Sequence, residues 1–156
     1  DITALGSVPV LTLVTSFAVG FLIAAGHNRA ALFVGASVGA GALAAKGLKL
    51  VFTRARPDIV EHMVPVSSTS FPSSHAMSSA LVYLTLAMLV ARTRADRGVR
   101  IYLISCAILL TLMVGFSRIY LGVHWPSDVL AGWGIGGLWA VLSTLAFKAA
   151  QEKRAV

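Results

Sequence analysis

A histidine and an aspartate in the carboxyl-terminal third of the chain have the types and spacing needed for nucleophilic chemistry. His124 precedes Asp128 by four residues in the run SRIYLGVHWPSD, which starts at Ser117 and Arg118. Pro126 can open a helix, so we expect Asp128 in its first turn and His124 just before it. The carboxylate can then hold one imidazole nitrogen and leave the other free as a nucleophile or base. The alternative is a structural Asp cap beside a packed histidine.

The run FPSSH, residues 71–75, has the composition of a helix start and directly precedes an apolar run. Proline near the first turn and serine at the cap are both typical of that position. The free N–H groups and positive dipole of such a helix start attract anions, phosphate among them. His75 at the edge of an apolar run is costly enough to suggest a role. Ordinary capping, with His75 as an interfacial residue, is the alternative.

A basic stripe precedes Pro57 in the run KLVFTRARP. If the helix continues to Arg56, the seven-residue spacing is about two turns, which places Lys49 and Arg56 on one face. Pro57 would then end the helix. Lys46 lies one turn deeper and is a candidate supporting charge, whereas Arg54 falls off that face and is interpreted as a surface or headgroup contact. Basic residues that snorkel to the headgroups are the alternative.

The composition predicts that membrane-spanning helices position these clusters. Hydrophobic residues make up 57% of the chain and charged residues 12%, about half the usual charged share. That excludes a disordered chain and leaves too few polar residues to cover a soluble domain. Five uncharged runs predict five spanning helices over 2–26, 30–45, 76–91, 101–117 and 129–147. The shorter runs must borrow flanking residues such as 46–52 to cross the bilayer.

Two pairs of glycines, Gly35 with Gly39 and Gly132 with Gly136, have the four-residue spacing that permits close helix packing. The single cysteine, Cys106, has no partner for a disulfide or a cysteine metal site. The sequence contains no clustered metal ligands, nucleotide loop, repeat or domain boundary, so 1–156 is predicted to be a single transmembrane domain. His27 and His62 fall in no motif and are interpreted as loop or interface residues.

The net charge of +7 raises the possibility of nucleic acid binding. The basic residues form short clusters between apolar runs, however, which is typical of membrane topology. Eight of them fall on one side of the predicted bundle, namely Arg29, Arg92, Arg94, Arg97, Arg100, Lys148, Lys153 and Arg154. We expect that side to be cytoplasmic, so that the 53–75 loop and the 118–127 turn meet on the outer face. Since the chain begins with Asp1 rather than Met, we expect a processed or trimmed chain that lacks an earlier helix.

Taken in order, the three clusters resemble the signature of the type 2 phosphatidic acid phosphatase family, which is related to the vanadium haloperoxidases. The signature is Lys, six residues, Arg-Pro; then Pro-Ser-Ser-His; then Ser-Arg, five residues, His, three residues, Asp. The match runs from Lys49 to Asp128, about half the chain. It departs from the family at Ser74, where the second motif most often has glycine. The Ser74 side chain would crowd a phosphate, so we expect an effect on substrate size or rate rather than on the chemistry.

The resemblance implies an all-α integral membrane phosphatase that needs no metal or other cofactor. The groups that it assigns to phosphate binding are Lys49, Arg56, Arg118, Ser73 and the backbone N–H groups of Ser74 and His75. His124 would attack phosphorus to form a phosphohistidine, and Asp128 would orient it. Protonated His75 would give its proton to the leaving group and then activate water. One neutral and one protonated histidine predict a bell-shaped pH profile.

The substrates implied by the resemblance are lipid phosphates at the outer face of a bacterial inner membrane: phosphatidic acid, phosphatidylglycerol phosphate, polyprenyl pyrophosphate or lipid A phosphate. No protein partner is implied. A haloperoxidase-like site for vanadate is one alternative, and the membrane composition disfavours it. A non-enzymatic transporter or anion-binding membrane protein is the other. Binding alone does not need a nucleophile, an orienting carboxylate and a proton donor such as His124, Asp128 and His75.

Overall fold

A computed structural model of the chain describes residues 2–58 and 69–153. Within these ranges the protein is all-α, as predicted, with a short 3-10 helix at Ile2–Gly6 followed by five α-helices. They are α1 (Val8–Ala24), α2 (Asn28–Val51), α3 (Ser74–Ala91), α4 (Arg97–Tyr120) and α5 (Pro126–Glu152). Asp1, His62 and Arg154, which the sequence interpretation also used, lie outside the described residues.

The helices α2 to α5 are long and apolar enough to cross a membrane, judged by length and composition. The predicted first span is divided into the 3-10 helix and α1, which has 17 residues. The break follows from local sequence. Ser7 is extended at the amino-terminal cap of α1, and Pro9 lies in the first turn, where its missing N–H costs no helix hydrogen bond.

Helix α2 extends past the uncharged run 30–45 through Val51, so it includes the flanking residues that it was expected to borrow. The condition for placing Lys49 and Arg56 on one helical face, that α2 continues to Arg56, is not met, because Phe52 is already extended. The extended segment after Phe52 is held by hydrogen bonds to other parts of the chain. The Ser70 N–H donates to the Arg54 carbonyl at 2.9 Å, and the Trp125 indole donates to the Ala55 carbonyl at 3.2 Å.

Helix α3 is the centre of the bundle and packs against α4 and α5. A Cβ placed on Gly136 of α5 would lie 2.3 Å from the Met77 carbonyl oxygen of α3, so only glycine allows this approach. The close packing predicted for Gly132 and Gly136 is therefore confirmed. The prediction is wrong for Gly35 and Gly39, where an added Cβ would meet no atom of the described residues within 4 Å.

This contact predicts different changes in stability when two glycines of α5 are replaced by alanine. Gly136→Ala forces a Cβ into the α3 backbone, which cannot rotate away, and should destabilise the protein by about 1–3 kcal/mol. The control, Gly134→Ala, adds its Cβ in open space and should be neutral or stabilising because alanine favours helix. Thermal unfolding of the two purified variants in detergent measures the difference. Equal transition temperatures would contradict the packing argument.

The helix ends that carry the three motifs lie at one end of the bundle. The chain alternates in direction, so the carboxyl ends of α2 and α4 meet the amino ends of α3 and α5. The Ser73 N–H at the start of α3 donates to the Asp128 carbonyl at the start of α5, at 3.1 Å. The Lys49 ammonium, in the last turn of α2, donates to the Thr69 carbonyl before α3 at 2.8 Å. The fold thus gathers residues from Lys49 to Asp128 into one region.

Candidate active site

His124 lies in the turn between α4 and α5 and is only 3% exposed. Its Nδ1 is 3.6 Å from Oδ2 of Asp128 and 3.5 Å from Oγ of Ser70. Its Nε2 lies 3.4 Å from Nη1 of Arg56. With the proton on Nδ1, the imidazole would face the carboxylate on one side and present the Nε2 lone pair to the cationic side of the site.

Asp128 lies in the first turn of α5, as predicted from Pro126, and it is completely buried. Its Oδ2 accepts hydrogen bonds from the Trp125 N–H at 3.0 Å and from the Ser70 hydroxyl. Its Oδ1 accepts from Nη1 of Arg54 at 2.8 Å. Three donors outside His124 therefore orient the carboxylate, and Ser70 touches both members of the His124–Asp128 pair.

The interpretation of Arg54 as a surface or headgroup contact agrees with its exposure but misses its ion pair with Asp128. Its side chain is 42% exposed, yet it pairs with Asp128 and donates to the Ser127 hydroxyl at 2.8 Å. Its guanidinium also lies 5.6 Å from the centre of the Trp125 ring. The helical-face argument failed because the segment 52–58 is not helical, so spacing along a helix says nothing about where its side chains point.

Three cations surround His124. Arg118, in the last turn of α4, is 6% exposed, and its Nη1 donates to the Thr3 hydroxyl at 3.0 Å. Nη1 of Arg56 donates to the Val123 carbonyl at 2.7 Å. The charges of Lys49, Arg56 and Arg118 act on His124 and on His75. Cations concentrated around a buried imidazole form a site for an anion.

The amino terminus of α3 contributes uncharged donors to the same region. Ser73 caps the helix with extended backbone, and Ser74 and His75 form its first turn, as predicted. The backbone N–H groups of a first helical turn have no partner inside the helix. Among the residues that the structure describes, the Ser73 hydroxyl and the Nε of Arg118 are buried without a hydrogen-bond partner. An anion bound here would satisfy them.

The amino-terminal 3-10 helix forms a wall of the site that the sequence interpretation missed. Thr3 accepts the hydrogen bond from Arg118, and Gly6 packs on α3, where an added Cβ would lie 3.2 Å from the His75 carbonyl. Tyr83 of α3 ties the same segment down by donating to the Leu5 carbonyl at 2.7 Å. The only signal was Thr3, Gly6 and Ser7 at the start of an apolar run, and it did not stand out because the same run also contains threonines and a serine further along.

Two basic residues that the sequence left open are exposed. Lys46 is exposed on α2, and His27 is exposed at the turn before α2, at the opposite end of the bundle. Within 2–58 and 69–153, no three His, Cys, Asp or Glu side chains come together as metal ligands. Thr69 and Ser70 were not selected from the sequence because serine and threonine are common in any polar loop.

The pKa of His124 is lowered to about 3, mainly by burial and then by the charges of Arg56, Arg118 and Lys49, against which the charge of Asp128 raises it. Burial also lowers the pKa of Arg56. A buried imidazole beside cations stays neutral because its protonated form would lose hydration and add a like charge. The neutral form is the one that has a lone pair for nucleophilic attack.

We therefore predict that His124 does not titrate in the usual histidine range. Its pKa is lowered from 6.5 to about 3, so the imidazole should remain neutral as the pH falls from 7 to about 5. Nitrogen-15 spectra of histidine-labelled protein without phosphate measure the protonation state directly, and His124→Gln identifies the signal. A titration midpoint near the ordinary value would contradict the burial argument.

Comparisons with known proteins agree with the motif order. The profile of the PAP2 superfamily matches residues 30–152. Phosphatidylglycerophosphatase B of Bacillus subtilis strain 168 is 39% identical over 94 residues, 58% of this chain and 45% of that protein. Lipid A 1-phosphatase of Rhizobium etli is 33% identical over 114 residues, 67% of this chain and 45% of that protein. The chain thus spans about half the length of these curated relatives.

A solved structure shares the fold. The crystal structure of a transmembrane PAP2 type phosphatidylglycerolphosphate phosphatase from Bacillus subtilis matches with a TM-score of 0.80 and 31% identity, covering 97% of this chain and 74% of that one. The predicted fold class, an all-α integral membrane bundle, is confirmed by this likeness and by the apolar helices. Because the family profile also covers well over half of the sequence, the chain belongs to the PAP2 superfamily.

Proposed function

We propose that the protein is a membrane-embedded phosphatase that removes phosphate from a lipid phosphomonoester or pyrophosphate. The observation that carries this proposal is the buried His124–Asp128 pair, surrounded by three cations and the amino terminus of α3. The names of the relatives, which include a phosphatidylglycerophosphatase and a lipid A phosphatase, support this substrate class. Phosphatidic acid and polyprenyl pyrophosphate are further candidates with the same headgroup chemistry.

Lys49, Arg56 and Arg118 would neutralise the phosphate oxygens. The buried Ser73 hydroxyl and the N–H groups of Ser74 and His75 would donate to them as well. These donors are held before substrate arrives, by contacts such as Arg56 to Val123 and Arg118 to Thr3. Preorganised donors stabilise the charge of phosphoryl transfer without having to reorganise during the reaction. Since the protein supplies this charge itself, we infer that no metal ion is required.

In the first chemical step, Nε2 of His124 would attack phosphorus as the bond to the leaving oxygen breaks. The leaving alkoxide or phosphate would take a proton from the His75 imidazolium, which can form once the anionic phosphate of the substrate offsets the charges of Lys49, Arg56 and Arg118. Asp128 would hold the Nδ1 proton and stabilise the positive charge that develops on His124. The product is a phosphohistidine and a dephosphorylated lipid, or a lipid monophosphate when the substrate is a pyrophosphate.

In the second step, water would attack the phosphohistidine. Neutral His75 would accept the proton of the water as the P–N bond breaks and its electron pair returns to Nε2 of His124. Inorganic phosphate would leave, and both imidazoles would regain their starting protonation states. The same residue thus serves as acid in the first step and as base in the second.

We further propose that the site faces the outside of a bacterial inner membrane. The basic residues at the other end of the bundle, which include Arg29, Arg92, Arg97 and Lys148, support this orientation because Lys and Arg favour the cytoplasmic side. A lipid phosphate in the outer leaflet would then lie at the depth of the α2, α3, α4 and α5 ends that form the site.

The test is phosphate release from a panel of lipid phosphates and pyrophosphates by the detergent-purified chain with a metal chelator present. We expect release by the parent and strongly reduced release by Arg56→Gln, with Arg97→Gln at the opposite end as the charge-matched control. Release only after a divalent metal is added would overturn the metal-independent mechanism. Tight binding of lipid phosphate without any release would favour an anion-binding protein, and vanadate-dependent halide oxidation would favour the haloperoxidase alternative.

A further inference from the structure

A wedge-shaped cavity opens between α2 and α5 at the end of the bundle opposite the candidate active site. Its volume is about 470 Å³. Its walls are apolar and are formed by Leu32, Phe33, Ala36, Ala146, Phe147 and Ala150. Phe33 stacks on Phe147 with ring centres 4.4 Å apart, and the hydrogen bond from the Ser37 hydroxyl to Ser143 at 3.0 Å closes the deep end.

The mouth of the wedge is cationic. Arg29 lines the wedge and also an adjoining cavity of about 610 Å³, which contains Arg92 and His27. Arg92 donates to the Gln151 side chain at 3.1 Å, and its guanidinium lies 5.7 Å from the Phe147 ring centre. Among the described lining residues of both cavities there is no aspartate or glutamate. An apolar slot under two arginines is complementary to an amphiphile with an anionic head.

The length of the wedge along α2 is close to the thickness of the hydrocarbon layer of one leaflet. Arg29 and Ser37 are eight residues apart on α2, a rise of about 12 Å along the axis. Half of the hydrocarbon core is about 15 Å thick. With Arg29 at headgroup depth, the wedge would extend through most of one leaflet. The general bias of basic residues toward the cytoplasm explains the arginines, but it does not explain an apolar slot directly beneath them.

We propose that this wedge binds an anionic phospholipid from the leaflet at this basic end of the bundle. An acyl chain would lie between α2 and α5, and the phosphate would lie between Arg29 and Arg92. A zwitterionic lipid would bring its own cation to the same arginines, so the site should discriminate by head charge. The proposal is independent of the phosphatase reaction, because the wedge and the His124 site lie at opposite ends of the bundle.

Native mass spectrometry of the full chain from nanodiscs with equal fractions of phosphatidylglycerol and phosphatidylcholine tests the site. We expect one retained phosphatidylglycerol per chain. Arg29→Gln combined with Arg92→Gln should weaken its retention by about tenfold or more. Ala36→Phe, which fills the wedge from an exposed position without a change of charge, should weaken retention as well. If the double variant does not fold, Ala36→Phe decides the question.

Two controls separate the wedge from other sources of lipid binding. Arg94→Gln combined with Arg97→Gln removes the same charge at the same end but touches neither cavity, and it should retain phosphatidylglycerol. Arg118→Gln alters the candidate active site and should also retain it. Equal retention of both lipids by the parent, or loss of retention in either control, would overturn the proposal.

Discussion

Replacing His124 with alanine is expected to reduce hydrolysis of lipid phosphate by about 10³-fold or more, because the variant lacks the proposed nucleophile. Phosphate binding should largely remain. Arg118 and Arg56 are held by Thr3 and by the Val123 carbonyl, and neither contact involves the imidazole. Phosphate release measures the first effect, and binding of inorganic phosphate by calorimetry measures the second.

A covalent intermediate gives this prediction a second readout. The parent should form an acid-labile, alkali-stable phosphoprotein when mixed rapidly with labelled substrate, as expected of a phosphohistidine, and His124→Ala should form none. His27→Ala is the matched control, since His27 is exposed at the opposite end of the bundle. Normal turnover in His124→Ala would exclude the proposed nucleophile. Loss of phosphate binding together with turnover would show instead that the imidazole organises the cations.

The helix starts in this protein could be predicted because the residues that set them are local. At the start of α5, Pro126 lies in the first turn and Asp128 caps the helix by accepting from the Trp125 N–H, both within one turn of chain. At the start of α3, Ser73 has the extended backbone of a cap residue. The alternation of apolar runs then places these starts beside the carboxyl ends of α2 and α4. Short-range rules were therefore sufficient to bring the three motifs together.

The contacts of Arg54 could not be predicted, because they depend on where α2 ends. The segment beyond that end is held by partners distant in sequence, such as the Ser70 N–H and the Trp125 indole, which donate to the carbonyls of Arg54 and Ala55. The wall made by Thr3 is a similar case, since its contact with Arg118 joins residues 115 positions apart. Neither contact leaves a spacing pattern in the sequence.

These unpredicted contacts explain how His124 is oriented. Its Nδ1 is 3.6 Å from Oδ2 of Asp128, longer than an ordinary hydrogen bond. The carboxylate is held firmly by Ser70, Trp125 and Arg54. The position of Asp128 is thus determined by its own donors, and the Nδ1–Oδ2 hydrogen bond is expected to shorten when positive charge develops on His124 during attack on phosphorus.

Asp128→Asn is accordingly expected to lower kcat by about 10²–10⁴-fold, with a smaller change in KM. An amide has one accepting oxygen, whereas Arg54, Ser70 and Trp125 all donate to the carboxylate. The amide NH₂ must therefore face at least one of these donors. It can also donate to His124, which would favour the tautomer with the proton on Nε2, the nitrogen that should attack phosphorus. Steady-state kinetics and the yield of phosphoenzyme measure the loss.

A double-mutant cycle tests whether Arg54 influences catalysis through the Asp128 carboxylate. Arg54→Gln should lower kcat in the parent but have little further effect in Asp128→Asn, because its influence passes through the carboxylate. Ser127→Ala removes only the other acceptor of Arg54 and should stay close to the parent. If the effects of Arg54→Gln and Asp128→Asn simply multiply, or if Arg54→Gln raises KM without lowering kcat, then Arg54 acts on the substrate directly and not through the carboxylate.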